Sequence, residues 1–127
     1  MSDSTLGIAH IALVVNDIKE SVKFYCGALG FEQSEGFETE SLDIAYLKKG
    51  SLVLELLCHK DDPIPSRGTG LFDHLAFSVS DIEQEIARLK ALGIAFEFEV
   101  PKKVFGNQTI IFFLGPDGER IELVQQG

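Results

Sequence analysis

The stretch that decides the fold is Ile8-Ala9-His10-Ile11-Ala12-Leu13-Val14-Val15-Asn16-Asp17-Ile18, because it returns as Phe72-Asp73-His74-Leu75-Ala76-Phe77-Ser78-Val79-Ser80-Asp81-Ile82. His74 follows His10 by 64 residues, and each copy is apolar and β-prone ahead of its Asp, which reads as a strand. A helix signal comes next in both copies. Asp17 has Glu20 three residues on, and Asp81 has Gln84 three residues on, both at capping-box spacing. Apolar residues then recur at helical period: Ile18, Val22, Tyr25 and Leu29 in the first copy, Ile82, Ile86 and Leu89 in the second. Gly30 and Gly93 stand where a left-handed cap closes each helix.

Three extended runs follow each helix. They are expected at about Phe31–Gly36, Asp43–Lys48 and Ser51–Cys58, then at about Ala95–Val100, Thr109–Leu114 and Glu119–Gln125. Lys49-Gly50 and Pro116-Asp117-Gly118 supply turns. Each half therefore reads β-α-β-β-β. The first module covers about residues 6–58, a linker rich in Pro, Asp and Gly covers 59–70, and the second module covers about 71–126 of one domain, 1–127. Two such halves predict an α+β fold of two curved sheets packed side by side, with the helices outside.

Composition narrows the function classes. The chain has 127 residues, 45% hydrophobic and 24% charged, which fits one globular domain and excludes wholesale disorder and collagen-like structure. Eleven basic residues against 20 acidic ones leave a formal charge of −9, a balance that argues against nucleic acid and anionic membrane as partners. Two cysteines, Cys26 and Cys58, are too few for a disulfide scaffold and read as reduced thiols. The polar start Met1-Ser2-Asp3-Ser4-Thr5 has no leader pattern, and no apolar run nears bilayer length, so a cytoplasmic protein is expected.

Four ionisable residues do not suit a purely structural reading. His10 and His74 lie in the first strand of each half, and Glu55 and Glu122 lie in the last. Strand alternation puts His10 with Ile8, Ala12 and Val14, puts Glu55 with Val53 and Leu57, and puts His74 with Phe72 and Ala76. A helix covers one face of each sheet, so these residues are expected on the other, concave one. An unpaired carboxylate there costs several kcal/mol, roughly, after relaxation. A divalent cation removes that cost and suits two imidazoles with two carboxylates, with Ca²⁺ and Mg²⁺ disfavoured by the nitrogen donors. An inward His–Glu ion pair in each half satisfies the same residues without metal.

These residues resemble the vicinal oxygen chelate superfamily, and within it the small glyoxalase I (lactoylglutathione lyase) proteins. The resemblance runs over about residues 6–125. It rests on His10-Ile11-Ala12-Leu13-Val14-Val15-Asn16-Asp17, on Phe24-Tyr25 with Leu29-Gly30-Phe31, on His74-Leu75-Ala76-Phe77-Ser78-Val79, and on Pro116-Asp117-Gly118-Glu119-Arg120-Ile121-Glu122-Leu123. It implies tandem βαβββ modules forming a curved, barrel-like mixed sheet with helices outside, and a homodimer. It implies His10, Glu55, His74 and Glu122 as metal ligands. It further implies Glu122 first and Glu55 second as the catalytic base that moves a proton while a metal-stabilised enediolate forms. The short form resembles the Ni²⁺- or Co²⁺-activated glyoxalases, with Zn²⁺ and Mn²⁺ remaining alternatives.

The implied reaction converts the thiohemiacetal of a 2-oxoaldehyde such as methylglyoxal to a 2-hydroxyacyl thioester, with a low-molecular-weight thiol as cosubstrate. Val14 and His59 stand where glutathione-using members carry Arg and Asn, which weakens the case for glutathione itself. Lys102, Lys103 and Arg67 are the candidate groups for an anionic small-molecule substrate, and Asn107 for the pocket rim; each also reads as a loop residue. A methylmalonyl-CoA epimerase-like enzyme, a fosfomycin-modifying enzyme and a non-catalytic binding or resistance module of the same fold are the competing functions.

Overall fold

The structure is a computed structural model and describes residues 8–61, 72 and 74–127. The chain divides into two compact units, Met1–Ile64 and Pro65–Gly127. In the first, β1 (Ile11–Val14) leads into α1 (Ile18–Leu29), then β2 (Glu32–Glu38), β3 (Leu42–Lys49) and β4 (Leu52–His59). In the second, β5 (Leu75–Ser78) leads into α2 (Ile82–Ala91), then β6 (Lys102–Val104), β7 (Gln108–Leu114) and β8 (Arg120–Gln126). Each unit holds an open four-stranded sheet, ordered β1-β4-β3-β2 in one and β5-β8-β7-β6 in the other. In both, the first strand runs parallel to the last, and the remaining pairs are antiparallel.

The helices form where capping and periodicity place them. Asp17 Oδ1 accepts from the Glu20 N–H at 3.1 Å, and Asp81 Oδ1 accepts from the Gln84 N–H at 3.1 Å. Each contact satisfies one of the amides that a helix start leaves without an internal partner. Gly30 (φ 76°) and Gly93 (φ 88°) both take the left-handed conformation that ends the helix. After α2 the Ile94 N–H reaches Leu89 O and the Gly93 N–H reaches Lys90 O, the paired bonds of a Schellman motif.

The covered face of each sheet is aliphatic and aromatic. Leu54, Leu56, Ala45 and Leu47 are buried with Tyr25, Ala28 and Leu29 of α1 in the first unit. Ile111, Phe113, Ile121 and Leu123 are buried with Ile82, Ile86 and Leu89 of α2 in the second. Burying a side chain of this size contributes roughly 1.5–3 kcal/mol. Because strand faces alternate, Val53, Glu55 and Leu57 are turned to the opposite face. One outer strand of each sheet carries charge: β2 is exposed along its length and holds Glu32, Glu35 and Glu38, and β6 begins Lys102-Lys103. Charged edges discourage pairing with another chain.

One expected strand is corrected. Ala95–Val100 forms no regular strand; it contributes an isolated bridge between Phe96 and Phe113, and the sixth strand is Lys102–Val104. Pro101 supplies the reason, since it has no N–H to give the ladder and restricts Val100 before it. The pairing resumes one residue later. Among the described residues, no helix is long and apolar enough to cross a membrane. Cys26 and Cys58 are not in a disulfide, and the Cys58 thiol donates to Asn16 O at 3.3 Å. Burial pushes the Cys26 thiol up, against a smaller lowering by a backbone hydrogen bond at Gln33.

Candidate metal centre

The faces turned away from the helices carry the candidate donors. In the first unit the parallel pair β1–β4 sets Ala12 beside Glu55, so His10, two residues earlier, lies on the same face. His10 Nε2 stands 3.3 Å from Glu55 Oε1. In the second unit β5–β8 sets Ala76 beside Glu122, and His74 is again two residues earlier. His74 Nε2 stands 3.2 Å from Glu122 Oε1. The structure thus brings together His10 with Glu55 and His74 with Glu122, at matching positions in the two units.

The chemistry of each pair limits what lies between its atoms. An unprotonated imidazole nitrogen and a carboxylate oxygen are both lone-pair donors, and they repel at this separation. A proton on Nε2 or a cation shared by both atoms makes the contact favourable. The carboxylates are the more enclosed partners, with side chains 15% exposed for Glu55 and 12% for Glu122, against 41% for His10 and 32% for His74. A carboxylate so far from water requires compensation. One nitrogen and one oxygen donor per pair fit a divalent transition metal. Among the described residues of either unit, no group of three or more His, Cys, Asp or Glu stands ready to hold an ion, so each unit offers two protein donors.

Each carboxylate also faces an aromatic ring on the neighbouring antiparallel strand. Tyr46 pairs with Glu55, and its hydroxyl donates to Glu55 Oε2 at 2.7 Å. That hydrogen bond, with help from burial and the charges of Glu55 and Glu35, raises the Tyr46 phenol above its ordinary range. Phe112 pairs with Glu122 at the equivalent position. The rings meet the histidines alike, edge to face, at 6.1 Å for His10–Tyr46 and 5.3 Å for His74–Phe112. The Arg120 guanidinium lies 3.7 Å over the Phe112 ring and donates to both carboxylate oxygens of Glu97, at 3.1 and 3.0 Å.

The sequence singled out neither Tyr46 nor Arg120. Tyr46 was within reach of hairpin arithmetic. Lys49 pairs with Leu52 across a loop of Gly50 and Ser51, and counting back along both strands from that loop sets Tyr46 opposite Glu55. Arg120 carries the same signal as Glu122, two residues away on one strand face.

The remaining predicted residues separate. Lys102 pairs with Ile110, which shares a face with Phe112, so it lies on the donor side, with Nζ 4.3 Å over the Phe98 ring. Lys103 pairs with Thr109 and is turned to the other face by strand alternation. Asn107 sits in the short turn before β7 with φ 57°, its carbonyl accepting from the Gly127 N–H at 3.0 Å. Arg67 lies outside the described residues.

A βαβββ unit that occurs twice, each time with a His one residue before the first strand, where the sequence suggests the strand itself, and a Glu on the last, defines a class. The chain belongs to the Glyoxalase/Bleomycin resistance protein/Dioxygenase superfamily, whose family model matches residues 7–123. It is 35% identical to the uncharacterized protein YaeR of Escherichia coli (strain K12), over 94% of this chain and 95% of that one. It is 31% identical to the probable lactoylglutathione lyase of Vibrio parahaemolyticus, over 93% of this chain and 89% of that one. Among solved structures it is similar to the glyoxalase family protein from Enterococcus faecalis, with a TM-score of 0.80, 32% identity, and coverage of 94% of this chain and 97% of that one.

Proposed function

We propose that the protein is a metal-dependent lyase of the glyoxalase I type that isomerises the thiohemiacetal of a 2-oxoaldehyde to a 2-hydroxyacyl thioester. The observation that carries this reading is the repeated pair, His10 with Glu55 and His74 with Glu122, each with Nε2 and Oε1 in near contact. His10, Glu55, His74 and Glu122 are the residues that would hold the ion, Ni²⁺ or Co²⁺ before Zn²⁺ or Mn²⁺. When bound, such a cation stabilises negative charge that develops on a substrate oxygen. Glu122 Oε takes the proton from the carbon that bears sulfur and hydroxyl and returns it to the neighbouring carbonyl carbon. The hydroxyl proton passes to the former carbonyl oxygen. The sulfur-bearing carbon becomes the thioester carbonyl, and no oxidant or reductant is consumed.

Lys102 on the donor face offers a cation to a carboxylate of the thiol cosubstrate, while Val14 and His59 favour a thiol other than glutathione. A homodimer in the cytoplasm belongs to the same proposal. The test is direct. Protein loaded with Ni²⁺ or Co²⁺ is given methylglyoxal with each of several low-molecular-weight thiols, and thioester absorbance is followed. Thioester formation with at least one thiol is expected. No turnover with any metal and thiol, together with deuterium exchange into methylmalonyl-CoA, replaces the lyase with an epimerase; neither activity leaves a binding module.

A further inference from the structure

The two His–Glu pairs differ in the ring that faces each carboxylate. Tyr46 and Phe112 occupy the same position, directly across the antiparallel ladder from Glu55 and Glu122, with their rings set edge to face against the two histidines. Only Tyr46 carries a hydroxyl, and it donates to Glu55 Oε2 at 2.7 Å. The other oxygen of that carboxylate, Oε1, is the one beside His10 Nε2. Glu55 is therefore held at both ends. Rotation of its carboxylate breaks a hydrogen bond to a charged acceptor, which is stronger than one between neutral groups. Opposite Glu122 stands a phenyl ring, which has no proton to donate, and the ring's outer face is taken by the Arg120 guanidinium.

We infer that Tyr46 is a positioning residue: its hydroxyl fixes Glu55 as the stationary carboxylate, and Phe112, by lacking one, leaves Glu122 as the carboxylate that can swing to substrate. This rests on the reading of His10, Glu55, His74 and Glu122 as one metal centre. It adds a cause for the division of labour between two glutamates that the repeat makes equivalent. Nothing in the strand positions of Glu55 and Glu122 distinguishes them; the hydroxyl does. Outer hydrogen bonds that orient ligands commonly matter ten- to a hundredfold, roughly, for affinity or rate.

The experiment is an exchange of the hydroxyl between halves. Wild type, Tyr46→Phe and Phe112→Tyr are titrated with Co²⁺, reading dissociation constant and visible spectrum, and assayed for kcat and KM. Tyr46→Phe should bind Co²⁺ roughly tenfold or more weakly, with an altered spectrum, while its metal-free melting midpoint stays near wild type. Phe112→Tyr should keep Co²⁺ affinity and lose about tenfold or more in kcat. If Tyr46→Phe matches wild type in affinity and spectrum, or changes only the metal-free melting midpoint, the inference is overturned. Unchanged kcat in a folded Phe112→Tyr overturns it as well. Wild type that takes up no Co²⁺ removes the metal centre itself, which separates that failure from the failure of Tyr46.

Discussion

At the scale of the residue, the proposed chemistry turns on where a carboxylate can go. Glu122→Gln keeps the volume and an oxygen donor and removes the base. It should lower kcat by about 10²–10⁴, the range associated with a positioned general base, while Co²⁺ affinity falls much less; steady-state assays and a Co²⁺ titration read the two quantities separately. Equal loss of both would make Glu122 a ligand only. The pairing of His10 with Glu55 and of His74 with Glu122 was legible from the repeat, since two histidines and two glutamates fall at corresponding positions in otherwise apolar runs. Hairpin arithmetic also sets Tyr46 across from Glu55, but the strand gives no sign that its hydroxyl turns to the carboxylate. The strand's own pattern, Asp43-Ile44-Ala45-Tyr46-Leu47, reads equally well with Tyr46 as a packing aromatic.

At the scale of the element, stability is concentrated in the covered faces and the helix starts. Leu56→Ala empties a fully buried position between the β4 ladder and α1, and should cost about 2–5 kcal/mol. Asp17→Ala and Asp81→Ala each remove one cap and should cost about 1 kcal/mol, with near additivity in the double variant, because the caps belong to different units. Urea unfolding measures all of these; a double variant far from the sum would mean that the caps share partners. Helices were the most readable elements, since Asp17, Asp81, Gly30 and Gly93 mark three of four ends by local chemistry and the fourth within a residue. The sixth strand was the least readable. Ala95-Phe96-Glu97-Phe98-Glu99-Val100 alternates like a strand, yet Pro101 moves the paired segment beyond it to Lys102, an effect of backbone donors that side-chain alternation does not register.

At the scale of the whole molecule, the reading of one ion held by both donor pairs makes a quantitative demand. His10→Ala and His74→Ala should each abolish uptake of the same ion, and wild type should bind one per chain. Equilibrium dialysis with elemental analysis checks the stoichiometry; half the metal retained in each variant would mean two independent sites. Because ligand binding stabilises only the folded state, Co²⁺ at 100 times its dissociation constant should add about 2.7 kcal/mol, visible as a raised Tm that a chelator reverses.

The two-residue loop of Gly50 and Ser51 has a consequence at a distance. Gly50, at φ 59°, takes the first place of that tight turn, which a residue with a Cβ adopts only under strain. With no slack in the turn, its length acts as a ruler for β3 against β4. One inserted residue slides the ladder a notch and offers Leu47 or Ala45 to Glu55 in place of the phenol. The connection from Gly115 to Glu119 is longer but is closed by the Gly115 N–H on Glu119 O at 2.8 Å, and in the same way its length keeps Phe112 against Glu122.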